Sequence, residues 1–115
     1  MATIALNRSG LPNVGWKHFW ETLTEADSAE AAELNSLSGL AGSVQVTGTF
    51  GGATVTLQSS NDGTNFATMK DPVGNDISMT SAGMSEFSTA ARYIRPSATG
   101  GTAQDVDVTV IARGN

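Results

Sequence analysis

An alternation of apolar and polar residues on either side of two adjacent glycines restricts this fold more than any other feature. It occupies residues 44–58, VQVTGTFGGATVTLQ. Such a period of two is typical of strands with one buried face and does not fit the 3.6-residue repeat of a helix. The residues expected to point inward are Val44, Val46, Phe50, Val55 and Leu57. Because Gly51 and Gly52 tolerate the backbone angles of a tight turn, the segment is interpreted as a β-hairpin.

Turn signals separate further short strands along the chain. Asn61-Asp62-Gly63 combines residues that tolerate a left-handed backbone, and Gly63 is predicted to have a positive φ. Residues 71–76, DPVGND, have the composition of a second turn. The strands expected beyond these turns cover residues 65–69, 77–79, 92–96 and 105–112, the third of them ending at Pro96.

The composition agrees with an all-β chain. Of the 115 residues, 15% are charged and 13 are glycine, which favours short strands and tight turns over a helical bundle. About seven to eight strands are expected, arranged as a single-domain antiparallel β-sandwich or flattened barrel. Residues 27–34, DSAEAAEL, contain helix formers over barely two turns and are interpreted as a loop or a short helix.

Residues 1–13 are interpreted as an N-terminal arm, and residues 14–115 as the β-sandwich domain. Gly10 and Pro12 interrupt any long regular element, so the arm is expected to contribute little to the core. Its apolar residues nevertheless need burial, which a partner could supply if the arm added a strand to an open sheet edge. The candidate interface residues are therefore Ile4, Leu6 and Leu11.

Charge and composition argue against several classes of function. Six basic and eleven acidic residues give a net charge of -5, and Lys and Arg do not cluster, so nucleic acid is not an expected partner. The chain has no apolar run of about 18 residues, so no membrane partner is expected. The N-terminus lacks the features of a signal peptide, which favours synthesis in the cytoplasm. Cysteine is absent, which excludes disulfides and thiolate metal sites but leaves the compartment open.

No catalytic residue, metal ligand or cofactor site is predicted. The single histidine, His18, lies between two tryptophans in WKHFWETL, residues 16–23, and no G-x-S-x-G motif accompanies it. A nucleophile-and-base mechanism needs both groups, so His18 is interpreted as structural. In an extended strand, Trp16, His18 and Trp20 would share one face, with Leu23 on the other.

Two polar groups have both a chemical and a structural interpretation. Asp105 and Asp107 share one strand face and could serve as the paired carboxylates of a glycosidase, but on a small sandwich such a face is normally solvated. Asn61, Asp62 and Asn65 resemble part of a calcium loop. Calcium needs six or more oxygen ligands and usually several carboxylates, so a hairpin turn is the preferred interpretation.

The aromatic residues could form a binding platform or the core. Trp16, Trp20, Phe66 and Tyr93 are candidates for stacking against sugar rings. The whole chain has only four Phe, two Trp and one Tyr, and a core of this size needs most of them. The core interpretation is therefore preferred.

The segments VQVTGTFGGATVTLQSSNDGTNF, DPVGNDISMTSAGM and RYIRPSATGG resemble those of short bacteriophage and prophage virion proteins of the capsid decoration, or cement, type. The resemblance covers residues 14–112. Ser59 stands where the family commonly has glycine, and Phe66 where it commonly has tryptophan. Residues 27–42 form a longer or more variable link.

The resemblance implies a non-enzymatic structural protein that is made in the host cytoplasm and carried on the capsid surface of the virion. Its partners would be the major capsid protein and further copies of itself in a dimer or trimer. A tail or fibre component and a carbohydrate-binding β-sandwich module are the alternatives.

Overall fold

The computed structural model describes residues 3–4, 7–10, 16–24, 28–34, 40–89, 91–101 and 104–114, and these contain strands and turns but no helix. Accordingly, none of the described residues belongs to a helix that could cross a membrane. The strands are β1 (Thr3–Ile4), β2 (Asn7–Gly10), β3 (Trp16–Leu23), β4 (Ser28–Ala29), β5 (Ala32–Glu33), β6 (Leu40–Thr49), β7 (Thr54–Ser60), β8 (Ala67–Thr68), β9 (Ser78–Met79), β10 (Gly83–Thr89), β11 (Tyr93–Thr99) and β12 (Asp105–Gly114). The all-β prediction is confirmed.

The strands form two antiparallel sheets that pack together as a β-sandwich. Sheet 1 has the strand order β10-β6-β12-β3-β2. Sheet 2 has the order β5-β11-β7-β8, and β9 also pairs with β7. The short strands β1 and β4 pair in parallel beside these sheets. The predicted single-domain antiparallel sandwich is therefore confirmed. The described residues form twelve strands instead of the expected seven to eight, because five of them have only two residues and are too short to produce an alternating pattern in the sequence.

The core consists of alternating side chains that both sheets direct inward. Every residue expected to point inward in the segment 44–58 is buried, with at most 9% of its surface exposed. Each fully buried aliphatic or aromatic side chain stabilises a fold by about 1.5 to 3 kcal/mol. The largest fully buried hydrophobic side chains are Trp20, Phe87, Leu23, Leu57 and Ile94.

The interpretation of residues 44–58 as a hairpin is wrong. Strand β6 pairs with β10 and β12 in sheet 1, whereas β7 pairs with β8, β9 and β11 in sheet 2. The chain therefore crosses from one sheet to the other at Phe50–Ala53, where the Ala53 N–H donates to the Phe50 carbonyl at 2.9 Å. Gly51 and Gly52 have φ values of 57° and 84° in this crossing. Inward side chains alternate in the same way in a hairpin and in a crossing, so the pattern alone does not distinguish them.

A second crossing packs against the first. The chain passes from β11 of sheet 2 to β12 of sheet 1 through Gly100 and Gly101. The registers of β7 with β11 and of β6 with β12 place both crossings at the same end of the sandwich. A Cβ atom built on Gly101 would lie 2.4 Å from the Gly51 carbonyl oxygen. The two crossings therefore touch through backbone atoms and leave no room for a side chain at Gly101.

An irregularity in β3 changes which of its residues face inward. Val106 pairs with Leu23 and Val108 with Trp20, so β3 has one more residue than β12 between these pairs. An extra residue of this kind reverses the alternation beyond it. The expectation that Leu23 lies on the face opposite Trp20 is therefore wrong, because both side chains are fully buried.

Residues 28–34 are extended, so the short helix considered for this segment is not formed. Strands β4 and β5 lie here, and the buried residues are Ala29, Ala32 and Leu34. The indole N–H of Trp20 donates to the carbonyl of Glu30 at 2.8 Å and fixes the segment against β3. Helix propensity is a weak preference that tertiary packing overrides.

Parts of the N-terminal arm belong to the fold. Strand β1 pairs with β4, and β2 pairs with β3 at the edge of sheet 1. Ile4 is half-buried and packs against the core, and its carbonyl accepts the Glu30 N–H at 2.9 Å. The expectation that the arm contributes little to the core is therefore wrong at Ile4. Residues 11–15, which include the predicted domain boundary, lie outside the described residues.

Pro96 does not end β11, which continues to Thr99 in register with β7. Strand β5 pairs only with Tyr93 and Ile94, so at Pro96 strand β11 is bordered by β7 alone among the described strands. A residue without an N–H is tolerated where one side of a strand has no partner.

Candidate binding surface

The predicted interface residues are only partly within the described chain. Ile4 is half-buried, so part of its side chain remains accessible, whereas Leu6 and Leu11 lie outside the described residues. The assignment of these three residues to an interface stays a prediction.

The side chains considered for catalysis occupy positions that agree with their structural interpretations. His18 is 1% exposed, and a general base has to reach the proton that it removes. Asp105 and Asp107 are exposed and alternate with the buried Val106 and Val108 of β12. These two carboxylates therefore lie on the outer face of sheet 1.

The turn at residues 60–66 is a hairpin connection between β7 and β8, as predicted. Gly63 has a φ of 76°, which confirms its predicted conformation. Asp62 organises the turn, because its Oδ1 accepts the backbone N–H groups of Asn65 and Thr64, each at 2.8 Å. Its Oδ2 accepts the Asn65 side-chain amide at 2.8 Å, and the Ser60 hydroxyl donates to Oδ1.

These hydrogen bonds change the chemistry of Asp62. Donation from the backbone of Asn65, then from the backbone of Thr64 and from the side chains of Asn65 and Ser60, holds the pKa of the Asp62 carboxyl well below its usual range. Both carboxylate oxygens are thus engaged with the turn itself. These hydrogen bonds agree with the hairpin turn that the sequence predicts for Asn61, Asp62 and Asn65.

A second turn, residues 70–76, lies at the edge of sheet 2. The chain leaves the edge between β8 and β9, and an ion pair of 2.5 Å between Lys70 and Asp76 closes the base of the excursion. The Asp71 carboxylate accepts three backbone N–H groups at 3.0 Å each, from Val73, Gly74 and Asn75. The side chain of Val73 is 84% exposed near the tip. An interruption of this kind also hinders another strand from pairing with that edge.

The aromatic residues divide between the core and the outer face of sheet 2. Trp20 is fully buried, as the core interpretation predicts. The side chain of Trp16 is not among those described. For Phe66 and Tyr93 the core interpretation is wrong, because both are half-buried and outside the core cluster. Tyr93 alternates with the buried Ile94 in β11, so its ring lies on the outward face.

Arg95 is the centre of this outward face. Its guanidinium lies over the ring of Phe66, 3.9 Å from the centroid. Its Nε donates to Oε1 of Gln58 at 2.9 Å, and Gln58 lies directly opposite Arg95 on the neighbouring strand β7. We call Gln58, Phe66 and Arg95 the Arg95 cluster. One π-face and one N–H of the guanidinium are thus engaged, which fixes its orientation.

Arg95 is not among the candidate residues that the sequence predicts. The signal was present in RYIRP, where Tyr93 and Arg95 alternate with Ile94 and Pro96. Both of the latter are buried, so the alternation alone places Arg95 outward. What the sequence did not contain was the contact with Phe66, because this ring is 29 positions away in the chain.

Comparisons with known proteins find similarity of fold. No protein-family model matches the chain, and no curated protein matches its sequence. The crystal structure of the SPBc2 prophage-derived protein YomS matches with a TM-score of 0.55 at 10% sequence identity, covering 90% of this chain and 98% of that chain. At this identity the match supports the sandwich fold alone.

Two further solved structures match less closely. One contains the CBM22-1 and GH10 modules of xylanase 10B from Clostridium thermocellum, with a TM-score of 0.47, 12% identity and coverage of 96% of this chain and 25% of that chain. The other is a chain of Bacillus endospore appendages, with a TM-score of 0.40, 15% identity and coverage of 98% and 90%.

Proposed function

We propose that this chain is a non-enzymatic virion protein of a bacteriophage or prophage, and specifically a decoration (cement) protein that stabilises the outer capsid shell. In this proposal it is made in the host cytoplasm and binds the major capsid protein on the capsid surface as a dimer or trimer. A tail or fibre position is the alternative within the same class.

The observation that carries the proposal is the agreement between two independent likenesses. The sequence resembles short virion proteins over residues 14–112. The fold matches a prophage-derived protein over nearly the whole of both chains. The neighbour's origin supports a phage context, and the resemblance supports the narrower assignment to the capsid.

The described surface suits a protein that acts by adhesion. Its turns at residues 60–66 and 70–76 are held by carboxylate hydrogen bonds and would bind a partner with little loss of conformational entropy. Repeated weak contacts on a lattice add up through avidity, so each subunit needs only a modest interface. The proposed interface residues Ile4, Leu6 and Leu11 would supply apolar contacts.

The proposal is tested by counting copies of the chain in purified virions with quantitative mass spectrometry. A decoration protein should be present in hundreds of copies, comparable to the major capsid protein. A handful of copies would place the chain in the tail. Absence from virions would refute the assignment to this class.

The interface is tested with Leu6→Ser and Leu11→Ser in co-sedimentation with capsids that lack this protein. Each variant should bind less than the wild type while its melting temperature changes little, because in this proposal both leucines contact the capsid and not the core of the chain. Ser97→Ala on the outer face of sheet 2 is a matched control remote from the arm. Unchanged binding by both leucine variants would contradict the assignment.

A carbohydrate-binding module is the second candidate, and the half-buried rings of Phe66 and Tyr93 on one sheet face favour it. One face of Phe66 is covered by Arg95, however. The test is titration with soluble β-glucan oligosaccharides, monitored by NMR shifts of the backbone amides of β7 and β11. Saturable binding that Tyr93→Ala removes, with the fold intact, would support this second function.

A further inference from the structure

The Arg95 cluster leaves the end of a fixed guanidinium without an internal partner. Arg95 uses Nε for Gln58 and one π-face for Phe66. Among the described residues, no hydrogen-bond acceptor and no carboxylate is paired with its Nη1 or Nη2 atom. These two nitrogens form the parallel pair of donors that matches a carboxylate.

The other basic side chains that can be described have different environments. Lys70 forms an ion pair with Asp76 at 2.5 Å. Arg92 also lies over an aromatic ring, 5.4 Å from the centroid of Tyr93, but its Nε and Nη2 atoms are both engaged with the Glu33 carboxylate. The ammonium group of Lys17 lies over Phe19 at 5.0 Å; it carries no planar pair of donors. Arg95 therefore combines a fixed orientation with a guanidinium charge that forms no ion pair among the described residues.

We infer that Arg95 binds the carboxylate of a single aspartate or glutamate side chain on the surface of a partner protein. The partner's carboxylate would accept two parallel hydrogen bonds from Nη1 and Nη2. Arginine ordinarily loses rotamer entropy when it forms such a pair, and the contacts to Phe66 and Gln58 mean that this loss has already occurred on folding.

The surroundings of Arg95 favour a protein over other anionic partners. Arginine with adjacent aromatic rings is the composition of protein interface centres, and Phe66 and Tyr93 supply half-buried rings here. The chain carries a net charge of -5, which repels polyphosphates and nucleic acids because these carry many negative charges. A single carboxylate is repelled less and is still attracted by the nearby Arg95 guanidinium. This inference concerns the chemistry of one contact and does not depend on the chain being a virion protein.

The experiment is an NMR titration of the full chain that follows the side-chain Nε–H signal of each arginine. The probe is the peptide acetyl-Gly-Glu-Gly-amide, and acetyl-Gly-Gln-Gly-amide is its uncharged match. The glutamate peptide should shift the Arg95 signal saturably and more than the Arg92 signal. The glutamine peptide should not.

Substitutions distinguish the effect of the paired guanidinium donors from the effect of positive charge alone. Binding of the glutamate peptide to each variant is measured by the shifts of the backbone amide signals of β7 and β11. Arg95→Lys keeps the charge but loses the paired donors, and should weaken binding at least about fivefold. Phe66→Leu keeps an apolar side chain but loses the aromatic face, and should weaken binding about twofold. Arg92→Lys is the matched control and should bind as the wild type does. Melting curves and backbone spectra establish that each variant is folded.

Three results would overturn the inference. One is equal affinity of Arg95→Lys and the wild type for the glutamate peptide. Another is an equal response of Arg92 and Arg95, which would indicate unspecific attraction. The third is tighter binding of glucuronate or inorganic phosphate than of the glutamate peptide, which would assign the site to a glycan or a phosphate group.

Discussion

Replacing Gly101 by alanine tests the packing of the two crossings between the sheets. Gly101 has a φ of 69°, in the left-handed region. A Cβ atom there would lie 2.4 Å from the Gly51 oxygen, 2.6 Å from the Ala53 nitrogen and 2.7 Å from the Gly52 carbonyl carbon. All three are backbone atoms that cannot rotate away. The crossing at Phe50–Ala53 would therefore have to move.

The neighbouring Gly100 distinguishes the two causes of the expected loss of stability, which are the left-handed backbone and the steric overlap of the Cβ atom. Its φ of 74° is similar, but nothing lies within 4 Å of the position of its Cβ. Gly100→Ala should cost about 1 to 2 kcal/mol through the left-handed backbone alone. Gly101→Ala should cost about 1 to 3 kcal/mol more, because overpacking forces the backbone apart, and about 2 to 5 kcal/mol altogether.

The assay is urea unfolding together with thermal melting of the wild type and both variants. For a chain of this size, 1 kcal/mol corresponds to a shift of roughly 4 °C in the melting temperature. Gly83→Ala serves as the reference, since its φ is not positive and the nearest atom to its Cβ would be 3.9 Å away. It should change stability by about 0.5 kcal/mol or less. Equal losses for Gly100→Ala and Gly101→Ala would refute the contact between the crossings.

Three further substitutions test other parts of the fold. Trp20→Phe removes the indole donor to the Glu30 carbonyl and leaves a cavity, so urea unfolding should show a loss of about 2 to 4 kcal/mol; a loss below about 1 kcal/mol would contradict the contact. Ile4→Ala should lower the free energy of unfolding by about 1 kcal/mol, measured by thermal melting, because Ile4 is half-buried against the core. An unchanged melting temperature would support the prediction that the arm contributes little to the core. The pKa of Asp62 is lower in the folded than in the unfolded chain, so its contribution is present above the ordinary aspartate pKa of about 3.9 and is lost as the pH falls below it. Stability measured from pH 5 to pH 2 should therefore decline less in Asp62→Asn than in the wild type, and parallel curves would contradict this.

Both turns of sheet 2 can be predicted from the sequence. Gly63 and the DPVGND segment were correctly predicted as turns, because their conformations depend on residues that are adjacent in the chain. Asp62 and Asp71 stabilise these turns through backbone groups two to four residues away. Such interactions are available from the sequence without knowledge of the rest of the fold.

Segment 28–34 and Phe66 show where the local interpretation failed. Alanine and glutamate favour a helix in isolation, but Ala29 and Ala32 are buried in an extended segment that Trp20 contacts through Glu30. Phe66 was assigned to the core on the scarcity of aromatic residues, yet it stacks against Arg95 on the outer face. Both outcomes depend on residues that are distant in the chain.

The sequence by itself determined which residues of the strands at 44–58 and 105–112 face inward, and hence that the fold is a two-layer β structure. The alternation of side chains is a property of any single extended strand and needs no knowledge of its partner. The tertiary structure alone decided that β6 and β7 lie in opposite sheets, that an extra residue in β3 turns Leu23 inward, and that Arg95 meets Phe66. The physical reason is that strand pairing and packing are set by the summed burial of all strands together, so neighbours in the chain need not pair with one another.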